Sequence, residues 1–168
     1  MRKKTVLLNL RHGGFTLIEL IVVFSVIAII STIGVAAFVG YSRTQTLNQA
    51  AIDLSTTLST AKSRASSQIK PPAQCTSLMT LNGYSVTINI PAKTYSLNVV
   101  CSGTTFVLTT TTLPTGISFN LASGTPPTTT TNVFFAILTS AVSGTGNIVL
   151  SGYSQTKTIT VDSLGVIQ

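Results

Sequence analysis

The stretch RHGGFTLIELIVVFSVIAIISTIGV, residues 11–35, places a carboxylate, Glu19, near the start of the only long apolar run in the chain. An ionised side chain at the centre of a membrane helix costs about 2.5–3.5 kcal/mol on insertion scales. A residue kept there has a task and needs a partner. From Leu20 to Val39 the run is apolar apart from Ser25, Ser31 and Thr32, with Gly34 inside it. A helix of about 20 residues rises about 30 Å, the hydrocarbon thickness of a bilayer. An ordinary signal peptide carries its small-residue cleavage site after the apolar run. Here the candidate site, Gly13-Gly14 followed by Phe15, comes before it, so cutting there leaves the apolar helix on the mature chain.

The charge pattern agrees with a membrane orientation signal. The chain has 168 residues and a formal net charge of +7. Arg2, Lys3, Lys4 and Arg11 all precede the apolar run, as a positive-inside signal requires. Cutting after Gly14 removes these four of the ten basic residues, leaving a mild positive balance. Only 8% of the residues are charged and 44% are apolar, which describes a folded chain rather than a disordered one. The length suits one domain of moderate size.

The helix predicted from about Phe15 continues beyond the apolar run. No Pro or Gly occurs between Tyr41 and Ile69. Leu47, Ala50, Ala51, Leu54, Leu58, Ala61, Ala65 and Ile69 recur at helical spacing and form a one-sided stripe. Arg43, Asn48, Asp53, Lys62 and Arg64 fall between them. The helix is expected to end near Gln68, stopped by Pro71-Pro72. Beyond Pro72 the period becomes two. Strands are predicted at 84–90, 95–100, 104–112, 116–121, 132–138, 147–152 and 157–162, with turn residues between them and a Pro/Thr loop at 123–131. Regular short strands of this kind form antiparallel sheet. The expected fold class is therefore α+β. One long N-terminal helix has its first half in the membrane and its amphipathic half packed on a sheet domain. The expected segments are 1–14, 15–40, 41–70 and 71–168.

The residues GGFTLIEL, 13–20, resemble the class III leader of type IV prepilins and type II secretion pseudopilins: a short basic leader ending in Gly, then Phe-Thr-Leu-Ile-Glu and an apolar helix. The resemblance implies cleavage between Gly14 and Phe15 by a prepilin peptidase at the cytoplasmic face, then N-methylation of Phe15. It also implies a single pass through the inner (cytoplasmic) membrane with the C-terminal domain outside, followed by assembly with other pilin or pseudopilin subunits. Glu19 would neutralise the charged amino terminus of a neighbouring subunit, and pairing two charges in lipid recovers part of the cost of having either there. AKSRASSQ (61–68), LPTGISF (113–119) and ITVDSLGVIQ (159–168) resemble segments of the GspH/FimT-like minor pilins and pseudopilins. Ala36 stands where many major pilins and pseudopilins place a proline, a departure that points away from a major pilin.

Other chemistry lacks its parts. His12 is the only histidine and would leave with the leader. Outside the apolar run the carboxylates are Asp53 and Asp162, the latter read as a turn residue. Acid/base pairs, nucleophilic triads and metal sets are therefore incomplete. An enzyme is not expected, nor is a cofactor or a metal. Cys75 and Cys101 lie in the exported part. They read either as a disulfide, contributing about 3 kcal/mol through loop closure, or as two small buried side chains. DNA binding, as in FimT-like minor pilins of natural transformation, is the rival reading. Its candidate contacts are Arg43, Lys62, Arg64 and Lys70, with Lys93 and Lys157 isolated in turns or strand ends. Lys62 and Arg64 are two apart and share no helix face.

Overall fold

The structure is a computed structural model of the chain. It describes residues 14–121, 130–138 and 141–168, apart from the side chains at 32–34, 36 and 121. The leader before Gly14 and most of the Pro/Thr loop lie outside the described residues. So does the side chain of Ala36, noted above as a departure from the proline of many major pilins. One helix, α1, spans Leu17–Ser66. The chain divides into two compact units, Met1–Tyr41 and Ser42–Gln168.

The start of α1 is set by Thr16. Its carbonyl accepts the first helical hydrogen bond, from Leu20 N–H at 3.2 Å, and its Oγ1 accepts the Glu19 N–H at 3.3 Å. Thr16 is thus an N-cap, satisfying a donor that a bare helix end would leave unpaired. The end of α1 corrects the sequence expectation. The helix closes at Ser66, before the prolines, because Gln68 enters the left-handed region at φ 51°. Gln68 N–H then bonds Ala65 O and Ile69 N–H bonds Arg64 O, both at 3.1 Å. That pair of bonds is a Schellman closure, here built without glycine.

In the second unit every strand pairing is antiparallel. The strands are β1 (Leu81–Asn89), β2 (Thr94–Cys101), β3 (Thr104–Thr112), β4 (Ile117–Leu121), β5 (Thr130–Ala136), β6 (Val142–Ser143), β7 (Gly146–Gly152) and β8 (Gln155–Val161). They form two sheets, ordered β3-β2-β1-β5-β6 and β4-β7-β8. The short β6 was not anticipated from the sequence. Two hairpins turn on two residues with positive φ at both: Ser102-Gly103 (48° and 80°) and Tyr153-Ser154 (54° and 63°). These dihedrals are those of type I′ turns, whose twist matches the strands they join. At Gly83 a side chain would run into the Phe135 carbonyl and the Phe134 ring, so β1 and β5 meet there only because no Cβ is present.

One core joins the amphipathic half of α1 to both sheets. Leu47, Ala50, Leu54, Leu58, Ala61 and Ala65 are all buried. They meet Tyr84, Val86 and Ile88 of β1 and Tyr95, Leu97 and Val99 of β2. From the smaller sheet they meet Ile117, Phe119, Ile148, Leu150, Ile159 and Val161. Tyr95 and Phe119 join the two sheets edge to face, 6.5 Å between ring centroids. Ala51 is only partly buried against this core. Ile69, the last member of the expected stripe, is 51% exposed because it lies beyond the Schellman closure.

Candidate processing and assembly site

Gly14, Phe15 and Thr16 are non-helical and exposed, and Phe15 is 79% exposed. Nothing approaches the position a Gly14 Cβ would take. The Gly14–Phe15 bond therefore lies in accessible chain directly before a capped helix. Glu19 sits in the first turn of that helix, exposed. A carboxylate there complements the positive end of the helix dipole. Thr16 and Glu19 also stand three apart, the spacing of a capping box. Sequence reasoning read Glu19 for its charge and passed over this second signal, although Thr16-Leu17-Ile18-Glu19 displays it.

The surface that follows is apolar on every side. Phe15, Leu17, Ile18, Phe24, Ile29 and Ile30 are each more than 60% exposed, and the large apolar residues between them are about half exposed. A helix apolar all round is stable only within apolar surroundings, lipid or a bundle of like helices. Among the described residues no helix is long and apolar enough to cross a membrane. The run from Leu20 to Val39 includes positions 32–34 and 36, whose side chains are not described.

Residues 9–35 match one protein-family description, the prokaryotic N-terminal methylation motif. The chain carries an N-methylation motif. The motif supports a class III leader of the type IV pilin kind, and with it a precursor of the pilin or pseudopilin type. It implies processing by a prepilin peptidase, membrane anchoring and then assembly with other pilins. It points to a structural subunit rather than an enzyme. No curated protein and no solved structure matches the chain.

Three of the basic candidates hold contacts within the fold. The Arg43 guanidinium lies over the Tyr153 ring, 5.4 Å from its centroid. Tyr153 also donates to Thr115 O at 2.8 Å. Lys62 Nζ donates to Gly165 O at 2.9 Å, tying α1 to the C-terminal segment. Lys70 Nζ donates to Met79 O at 2.5 Å. Arg64 acts electrostatically on Tyr84. Arg43 and Lys62 are separated by about 28 Å of helix rise. The Arg43–Tyr153 and Lys62–Gly165 contacts span long sequence separations and leave no local signal, so sequence reasoning missed them.

The remaining candidates have structural roles. Cys75 and Cys101 are buried and joined as a disulfide, Cα to Cα 5.7 Å. It ties the segment after α1 to the end of β2. Asp162 Oδ1 accepts Leu164 N–H at 2.8 Å and Val166 N–H at 2.7 Å, holding a turn. Among the described residues no group of His, Cys, Asp or Glu could hold a metal ion. Burial pushes the Tyr84 and Tyr95 hydroxyls above the usual tyrosine range, with Arg64 opposing the shift at Tyr84.

Proposed function

We propose that the chain is a structural minor pilin or pseudopilin, of the GspH/FimT-like kind, in a type IV filament or a type II secretion pseudopilus. A prepilin peptidase cuts Gly14–Phe15 at the cytoplasmic face and Phe15 is then N-methylated. The apolar half of α1 holds the protein in the cytoplasmic membrane as a single pass, with the sheet domain outside. On assembly these helices leave lipid for a bundle of their own kind, and Glu19 of one subunit meets the amino terminus of a neighbour.

One observation carries this reading: an accessible Gly-Phe junction stands directly before a capped helix that is apolar on every side and carries one early carboxylate. The physics of the cut product supports it. Cleavage places an ammonium group at Phe15, beside the positive end of the α1 dipole, where a cation is disfavoured. Carrying that cation into an apolar bundle adds a desolvation cost, which a carboxylate partner offsets.

The test is intact-mass spectrometry of protein extracted from membranes. The expected product begins at methylated Phe15 and runs to Gln168. A product cut after the apolar run, near Gly40, identifies an ordinary signal peptide and ends the pilin reading.

A further inference from the structure

Arg43 stands in the first turn of the part of α1 that belongs to the second unit, and it is exposed. Its guanidinium lies over the Tyr153 ring, and that ring has a built seat. Tyr153 donates to Thr115 O, and a Cβ on Gly116 would come within 2.7 Å of the Tyr153 hydroxyl and 2.8 Å of Cζ. The ring therefore fits only because residue 116 has no side chain. A cation–π contact engages the charge of the guanidinium and leaves its five N–H donors to be met by something else. No described residue accepts from them.

Lys93 lies at the same end of the unit. Leu113 N–H donates to Lys93 O at 2.9 Å, and Thr115, which holds Tyr153, is two residues further on. Lys93 occupies the exposed turn between β1 and β2, at φ 54°, and no described residue accepts from its ammonium group. The acids beyond the apolar run are engaged elsewhere. Asp53 Oδ1 accepts Gln49 Nε2 at 2.7 Å, and Asp162 Oδ1 holds the turn before Val166. Arg43 follows Val39, the last residue of the apolar run, by four residues. Four residues reach about 6 Å as helix and about 14 Å fully extended. The headgroup layer on each face of a bilayer is about 5–7 Å deep. Covalent reach alone thus keeps Arg43 at the level of the lipid phosphates or just outside them.

We propose that Arg43, on its Tyr153 platform, and Lys93 bind the phosphates of anionic phospholipid headgroups at the outer face of the cytoplasmic membrane. The inference rests on the single-pass reading above and adds a partner to it. The fork of a guanidinium matches two phosphate oxygens. A second cation with no counter-charge of its own selects a lipid of net negative charge over a zwitterionic one, whose own ammonium group competes for the phosphate. A tyrosine with an apolar body and a polar tip suits the same layer. The contact holds the domain against the membrane before assembly. It is given up when α1 leaves lipid for the filament, because the headgroups stay behind.

The test uses the full chain in detergent micelles with added phosphatidylglycerol or phosphatidylcholine, the retained lipid being counted by native mass spectrometry. One surface cation is worth about fivefold in affinity for an anionic lipid, so two give a preference for phosphatidylglycerol of about 25-fold. Lys93→Gln, in an exposed turn, should reduce the preference about fivefold, and Arg43→Gln with Lys93→Gln should abolish it. Lys157→Gln, beside Ile52 and Ser55 and so further along α1, should leave it unchanged. In nanodiscs, amide exchange at the 90–93 and 153–154 turns should slow when phosphatidylglycerol replaces phosphatidylcholine, in the wild type but not in the double variant. Equal retention of the two lipids, or a preference that the double variant keeps, overturns the proposal. Inorganic phosphate or an oligonucleotide binding in place of the lipid also overturns it and makes a soluble anion the ligand. Alkaline extraction of membranes separates the two readings. A chain released by it refutes the single pass, whereas a retained chain with no lipid preference refutes this inference alone.

Discussion

Leu58 and Ile52 lie six residues apart on α1 and carry similar side chains, yet Leu58 is 0% exposed and Ile52 56% exposed. Replacing each by alanine therefore separates burial from chemistry. Leu58→Ala removes three buried carbons, about 2.4 kcal/mol at about 0.8 kcal/mol each. The vacated space adds a cavity cost, because α1 is held against two sheets and cannot simply collapse inward. The total should be about 3–4 kcal/mol, within the range of about 2–5 found for buried leucines. In a chain of this size each kcal/mol lowers Tm by about 2–4 °C, so the drop should be about 6–16 °C. Ile52→Ala should cost less than about 1 kcal/mol, the usual range for an exposed site. Thermal denaturation of both variants in detergent, followed by far-UV circular dichroism, gives the comparison. Equal losses in the two variants would refute the placement of the stripe, and so the packing of α1 on the sheets.

Glu19 has two candidate tasks that two substitutions separate. Glu19→Gln keeps a capping-box side chain but no charge, so if charge pairing matters both it and Glu19→Ala should be cleaved normally yet be depleted from sheared filaments on immunoblots; normal incorporation of Gln alone would leave only the helix-start role. Tyr84 and Tyr95 have folded pKa values raised above 10.0 by burial, so their contribution is complete below pH 10 and is lost as pH rises through the folded values. Urea titrations of the wild type above pH 10 should show a stability loss that is smaller in the Tyr84→Phe/Tyr95→Phe double variant, and equal slopes would contradict the shifts. Lys62→Met keeps the apolar stem but loses the bond to Gly165, so amide exchange at Thr160 and Gln168 should accelerate while global stability falls by about 1 kcal/mol.

The apolar run, the amphipathic stripe and most strands were legible because each rests on local periodicity. The stripe residues from Leu47 to Ala65 are buried as their spacing predicts, Ala51 partly so. What the sequence hid depends on long-range or unusual local geometry. The end of α1 turns on Gln68 at positive φ, a conformation that only glycine or asparagine would have advertised. The Tyr153-Ser154 turn is similar: a type I′ hairpin is normally marked by Asn-Gly, and here neither residue appears. Tyr153 is held instead by Arg43 and Thr115, both distant in sequence. The division of the strands between two sheets had no local signal either, since the alternation of a strand does not say which neighbour it pairs with.

The same contrast governs what the surface of the second unit can do. A nucleic-acid site needs several cations converging on one face with their donors free for phosphate. Lys62 and Lys70 direct their ammonium groups at backbone carbonyls, and Arg43 lies on an aromatic ring. Each lysine would have to exchange a held contact for a phosphate, and the rise of α1 between Arg43 and Lys62 separates these two by more than a Debye length at physiological salt. Arg43, Lys62 and Lys70 thus act as ties between α1, the C-terminal segment and the loops.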